Sequence, residues 1–148
     1  MNWKTIILIL VLAGVGWFAL SQNKGSVAHD SGIQGCYVAN FGQDVYKLNV
    51  ETQNGADVYG TLSFQNYQKD SSSGTFTGKY ENGVLLGDYS FRSEGMNSVM
   101  QVVFKKIDGG FQRGFGPVDE ETGTKFTDLS AVSYDSAYTF VKAEGMCE

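Results

Sequence analysis

The sequence predicts an all-β domain: an up-and-down antiparallel meander of about eight strands forming a small closed or nearly closed barrel. Three observations carry this expectation. From Cys36 onward no window has a helical period, and short β-rich runs alternate with Gly, Asn and Asp. An Asn-Gly pair at Asn82-Gly83 sets the register of one hairpin. Glycines also fall inside the strands, where they let a sheet coil tightly.

In chain order the candidate strands are Gly35–Ala39, Asp44–Thr52, Asp57–Tyr67, Gly74–Glu81, Val84–Ser93, Ser98–Lys106, Phe111–Gly116, Thr124–Thr127 and Ala137–Lys142. Tyr46, Leu48 and Val50 share one face of their strand, and Val58, Leu62 and Phe64 share one face of the next. Asn82-Gly83 suits a type I′ turn, whose two central residues need positive φ. That turn sets Glu81 opposite Val84, Tyr80 opposite Leu85, Gly78 opposite Gly87 and Phe76 opposite Tyr89. Two opposed glycines remove every side chain from one level of the sheet, and Gly60 and Gly114 hold comparable mid-strand places. Ile107-Asp108-Gly109-Gly110 marks another hairpin whose register stays open between Asp-Gly and Gly-Gly turns. The stretch from Asp128 to Asp135 suits a short turn or a 3₁₀ segment.

The chain has 148 residues, enough for one domain, with 42 % hydrophobic and 18 % charged residues and a net charge of −5. That balance excludes a disordered chain, and the absence of spare positive charge argues against nucleic acid as a partner. The first residues have their own logic. Met1 to Lys4 precede an unbroken apolar run from Ile6 to Leu20, so residues 1–21 read as a hydrophobic helix. It is either a cleaved signal peptide or a membrane anchor, with Trp3 and Trp17 placed for the two interfaces. In both cases the rest of the chain is exported to the cell envelope. An anchored chain faces the periplasm or the extracellular side, and a cleaved one is secreted. Residues 22–34 are polar and read as a tether, followed by the barrel domain at 35–148.

Cys36 and Cys147 are the two cysteines, and in an oxidising compartment they are expected to pair. Such a bond would tie the first strand to the C-terminal end, as a barrel whose termini meet requires.

Catalytic chemistry has little to stand on. The single histidine, His29, lies in the tether, and there is no Gly-x-Ser-x-Gly elbow. Asp88 and Glu94 share a strand face with Arg92 between them, which reads more simply as a solvated polar face. Asp119-Glu120-Glu121 lacks the alternating ligands of a Ca²⁺ loop. No catalytic residue, metal site or cofactor is therefore expected, and the domain reads as a binding module. Its candidate binding residues are Tyr80, Tyr89, Arg92, Glu94 and Arg113. The expected partner is a small apolar or amphipathic ligand held in the barrel. The alternative is an envelope protein met through loops such as Ser93–Asn97 and Lys69–Ser73, in a structural or inhibitor-type role.

The pattern Cys36-Tyr37, Gly60-Thr61-Leu62, Asp88-Tyr89-Ser90-Phe91, Ser93-Glu94-Gly95 and Gln101-Val102-Val103-Phe104 resembles a group of small uncharacterised exported proteins and lipoproteins of bacteria. The resemblance spans about Cys36 to Cys147. It implies an exported, lipocalin-like β-barrel and carries no activity with it. Many members begin at a lipidated cysteine, whereas here a separate hydrophobic segment precedes Cys36.

The cysteine pairing yields a first measurement. Replacing both cysteines by serine should lower the stability of the oxidised domain by about 2–5 kcal/mol, read as a shift of the urea midpoint. A midpoint equal to that of the parent would mean that the bond contributes nothing to the fold.

Overall fold

The computed structural model describes residues 32–145 and Cys147. The expected helix at 1–21 and most of the expected tether lie outside the described residues. Among those described, no helix is long and apolar enough to cross a membrane.

Eight antiparallel strands close into one barrel, each paired with its neighbours in sequence and β8 returning to β1. They are β1 (Gly35–Phe41), β2 (Asp44–Asn54), β3 (Asp57–Gln65), β4 (Ser72–Glu81), β5 (Val84–Ser93), β6 (Met96–Ile107), β7 (Gly110–Phe115) and β8 (Ser133–Lys142). The meander sends alternate turns to opposite ends. At the base lie Gly55, Asn82-Gly83 and Asp108-Gly109, together with Gly35 at the start of β1 and Lys142 at the end of β8. At the mouth lie Gly42, residues 66–71, Glu94-Gly95 and the long β7–β8 connection. Two turns have both central residues at positive φ, Asn82 at 52° with Gly83 at 77°, and Glu94 at 49° with Gly95 at 80°.

The Asn-Gly hairpin has the expected register, with Glu81 opposite Val84, Tyr80 opposite Leu85, Gly78 opposite Gly87 and Phe76 opposite Tyr89. The open question at Ile107–Gly110 is answered in favour of Asp108-Gly109 as the turn, since Ile107 pairs with Gly110. The glycine pair has a packing reason. A Cβ on Gly78 would stand 2.8 Å from Gly87 Cα and 2.9 Å from the tip of the Phe76 ring, so the ring occupies the space the missing side chains leave. Gly60 and Gly74 also face inward, and a Cβ on either would collide with backbone carbonyl oxygens of the next strand, Asn49 and Ser90 respectively. Gly60 sits where β2 carries an irregularity between Val50 and Thr52, so strand approach and bulge together bend the sheet. Gly114 has a different role. Its bare face is turned outward, where Val132, Val103 and Tyr134 pack against it.

The lower barrel is filled by rings. Tyr37 and Phe111 meet edge to face at 4.9 Å, Phe104 and Phe140 at 5.4 Å, and Phe76 and Phe104 at 6.4 Å. Each such pair adds about 0.5–1.5 kcal/mol beyond the area it buries. Ile33 stoppers the base. It is fully buried, donates its N–H to Gln53 Oε1 at 2.8 Å, and accepts the Tyr37 hydroxyl on its carbonyl at 2.8 Å. The disulfide joins Cys36 to Cys147 as expected, across a Cα separation of 5.2 Å. It reinforces a short seam, because β1 and β8 share only the pairs Tyr37/Lys142 and Val38/Val141, continued by the bond from Ala143 N–H to the Cys36 carbonyl.

Two expectations are corrected. Thr124–Thr127 is not a strand; it makes one isolated bridge, Phe126 to Val118, within the β7–β8 connection. Phe126 donates its N–H to the Gln101 side chain at 3.0 Å, and Asp119 draws residues 122–125 into a turn, so no ladder propagates. The last strand begins at Ser133 rather than Ala137, after the 3₁₀ turn Leu129–Ala131. It carries a bulge, since the pairing steps from Gln112/Thr139 to Gly114/Tyr134. Inside the bulge Asp135 accepts the Ala137 N–H and Thr139 Oγ1 donates to the Ser136 carbonyl, local bonds that replace ladder bonds.

The glycine pair is testable. Gly87→Ala should cost about 1–3 kcal/mol in urea unfolding, whereas Asp88→Ala on the exposed face should stay within about 0.5 kcal/mol. Equal midpoints for the two variants would contradict the close approach of the Phe76 ring.

Candidate functional site

The rings that fill the base continue upward as a connected chain around the mouth. Tyr89 stacks on Phe91 at 4.7 Å and meets Phe64 at 5.5 Å; Phe64 meets Tyr46 at 4.9 Å. Tyr46 touches Phe41 at 5.0 Å, Phe41 touches Tyr138 at 4.7 Å, and Tyr138 touches Phe115 at 4.9 Å. Strand parity explains why all point inward. Tyr46 pairs with Phe64, and Phe91 pairs with Gly74, in register with the core residues two places below them. Tyr138 reaches the mouth from the bulge of β8, a common use of bulges. The rings nearer the rim, Phe41, Tyr46, Phe91 and Tyr138, keep part of their surface exposed.

Arg113 stands inside this chain. It pairs with the fully buried Phe104, which fixes its side chain on the inner face of the sheet. Its guanidinium lies over the Phe64 ring at 4.5 Å and over the Phe115 ring at 5.1 Å. Burial holds its pKa below the usual guanidinium value, partly offset by Tyr46, Tyr138 and Tyr89. It remains charged at any physiological pH. Among the described residues the ion pair found is Lys79–Asp57 on the outer surface, so Arg113 has no carboxylate partner there. The tyrosine hydroxyls around it are themselves anchored. Tyr46 donates to Asn66 Oδ1 at 2.9 Å, and Tyr89 bonds Ser72 Oγ at 3.1 Å. Burial raises the pKa of both phenols.

The other sequence-predicted site residues scatter. Tyr80 is buried near the base, 6.4 Å from Phe111, far from the mouth. Arg92 pairs with Ser73 and Asn97 on the exposed outer face of the sheet. Glu94 is the first central residue of the β5–β6 turn, where its positive φ serves the turn geometry. The structure thus brings together Tyr89 and Arg113, and not Tyr80, Arg92 or Glu94. Sequence reasoning missed Phe41, Tyr46, Phe64, Phe91, Phe115 and Tyr138 as site residues. The signal that would have found them is inward parity carried through every strand pairing, which Tyr138 shares with the buried Phe140 two places on.

Two further concavities lie away from the mouth rings, one on the outer face and one at the open β6–β7 seam. A groove of about 580 Å³ runs over the outer face of β4 to β6, roofed by Leu129 and Tyr134 and edged by Lys79, Glu81 and Asp88. A smaller pocket of about 110 Å³ opens where β7 ends short of β6, between Met100, Arg113 and Phe126. The acidic run at Asp119 is committed to its own loop. The Asp119 carboxylate accepts N–H groups from Thr122 at 2.7 Å and Lys125 at 3.1 Å, and the Thr122 hydroxyl at 2.7 Å.

No protein-family model, no curated protein and no solved structure matches the chain. The functional reading therefore rests on the site itself.

The Asp119 loop has a defined acid response. The Thr122 hydroxyl first, then the backbone N–H groups, hold the Asp119 carboxyl far below the ordinary carboxylate range. A depressed folded-state pKa stabilises the loop above the unfolded value of about 4 and loses that effect as pH falls through the folded value. The Thr122 and Lys125 amides should thus stay protected from exchange at pH 4 and lose protection only in stronger acid. Loss of protection already at pH 4 would overturn this.

Proposed function

We propose that this chain is a non-enzymatic binding module of the cell envelope that takes a small amphipathic ligand at the open end of its barrel. The observation that carries this reading is the connected wall of aromatic rings at the mouth, standing above a base already filled by side chains. A ligand would lie across the rim rather than descend into the barrel, because Phe76, Phe104, Phe111 and Phe140 are fully buried beneath it. Aromatic walls with one or two polar groups are the common make-up of small-molecule sites. A binding rather than catalytic role is supported by the placement of the acidic groups. Asp88 lies exposed on the outer face and Glu94 in a turn, and the one histidine of the chain is His29.

The envelope setting is supported by three features. A disulfide joins the first strand to the C-terminal end, the apolar run Ile6–Leu20 suits export, and the strand motifs resemble those of exported bacterial proteins. Residues 1–21 would attach the chain to the membrane if retained.

A second reading, docking of an envelope protein, is favoured by one specific feature. β6 outruns β7, so Asn97 and Val99 direct their backbone N–H and C=O away from β5 at an edge where Met96 is 70 % and Val99 51 % exposed. An extended segment of a partner could add to that edge.

Amide shifts on titration with octanoate and with indole should separate the readings. Binding at the mouth predicts movement at Phe41, Tyr46, Phe91 and Tyr138, with Tyr37 and Tyr80 unmoved. Shifts confined to the outer groove, or none with any probe, would overturn the mouth as the site. Val99→Pro removes only an N–H that faces away from β5, so it should leave ligand binding intact while abolishing any strand-addition partner.

A further inference from the structure

The guanidinium of Arg113 has more donor capacity than the protein uses. Arg has five N–H donors in a planar fork. It lies over the Phe64 ring at 4.5 Å and the Phe115 ring at 5.1 Å, contacts that leave its N–H donors available to a further partner. No described side chain or carbonyl accepts a hydrogen bond from those donors, and no described carboxylate lies within ion-pair distance. No buried side-chain nitrogen or oxygen among the described residues lacks a partner, so the unpaired donors of Arg113 keep a path to solvent. A cation held over the Phe64 and Phe115 rings, with its donors unspent, costs desolvation free energy that these ring contacts only partly offset.

We propose that Arg113 makes the mouth selective for an anion, and that its ligand is a small amphipathic carboxylate. The carboxylate head meets the guanidinium edge, and the apolar body lies against the rim rings. This inference rests on the mouth being the binding site. The head is a carboxylate rather than a phosphate because the one guanidinium at the mouth matches a single negative charge, and two of its parallel donors match the two carboxylate oxygens. A single anionic head is expected, because Arg113 is the described inward-facing cation at the mouth, whereas Lys142 and Lys106 lie near the base, over Tyr37 at 5.9 Å and Phe111 at 5.7 Å. The body is short, because the rings of Phe76 and Phe104 close the barrel below the Arg113 level.

Calorimetric titration of the full chain with octanoate, its neutral isostere octanamide, and octyl phosphate tests this. For the wild type, octanoate should bind at least tenfold more tightly than octanamide and more tightly than octyl phosphate. Arg113→Gln should bring the ratio of octanoate to octanamide affinity to about one. Arg113→Lys, which keeps the charge but not the fork, should fall between. Equal wild-type affinity for octanoate and octanamide would overturn the anion selectivity while leaving the mouth as the site. Tighter binding of octyl phosphate would overturn the carboxylate assignment. Absence of binding by all three, with no amide shift at the mouth, would overturn the binding reading together with this one. The wild-type comparison decides the matter even if the Arg113→Gln chain fails to fold.

Discussion

The barrel depends on one steric fit. The ring of Phe76 lies over the opposed pair Gly78 and Gly87, so that β4 and β5 approach without side chains at that level and the sheet can curl around a ring rather than around two Cβ atoms. Gly60 on β3 and Gly74 higher on β4 repeat the close approach of backbone to backbone, without the ring. Tight coiling is what lets eight strands meet end to end with an interior just wide enough for side chains. The last seam is the shortest, two residue pairs between β1 and β8, and the disulfide from Cys36 to Cys147 sits beside it. Closure therefore combines a local fit in the middle of the sheet with a covalent tie at its edge.

That curvature also divides the interior. Below the Phe76 level the rings pack edge to face and exclude water, and all buried residues are hydrophobic. Above it the strands continue but the seam between β6 and β7 opens, because β7 has six residues and β6 has twelve. The 116–132 connection covers part of this gap from outside, held by the bond from Gln101 N–H to the Thr124 carbonyl at 2.7 Å. The same difference in strand length leaves Arg113 at a level where the barrel is no longer filled. A guanidinium there is tolerable because aromatic rings stabilise it and its N–H donors keep access to solvent.

Much of the fold was legible, and particular residues explain why. Asn82-Gly83 states a turn type, and a turn type states a register, so Phe76, Gly78, Tyr80 and Glu81 found their partners without any tertiary information. Thr124–Thr127 misled because its composition suits a strand, while its hydrogen-bonding capacity goes to Gln101 and Asp119. Gly114 was legible as an interior strand glycine and not as an outward-facing one, since only the packing of Val132 and Tyr134 distinguishes the two. The candidate site was legible in part. Tyr89 and Arg113, both singled out, lie near enough to interact electrostatically, whereas Arg92 and Glu94, three and five residues beyond Tyr89, lie on the far face and in the turn.

Alone, the sequence determined what local chemistry can determine: the all-β class, the antiparallel order, the hairpin at Asn82-Gly83 and the cysteines that close the chain. Each of these follows from residues near one another or from a count of two. What only the tertiary structure decided is which inward-facing residues end on a common level. Arg113 is set beside Phe64, Phe115 and Tyr138 by the sum of every strand register. Each strand brings one or two inward residues to that level, so the ring of aromatics around one unpaired cation becomes visible only once the barrel is closed.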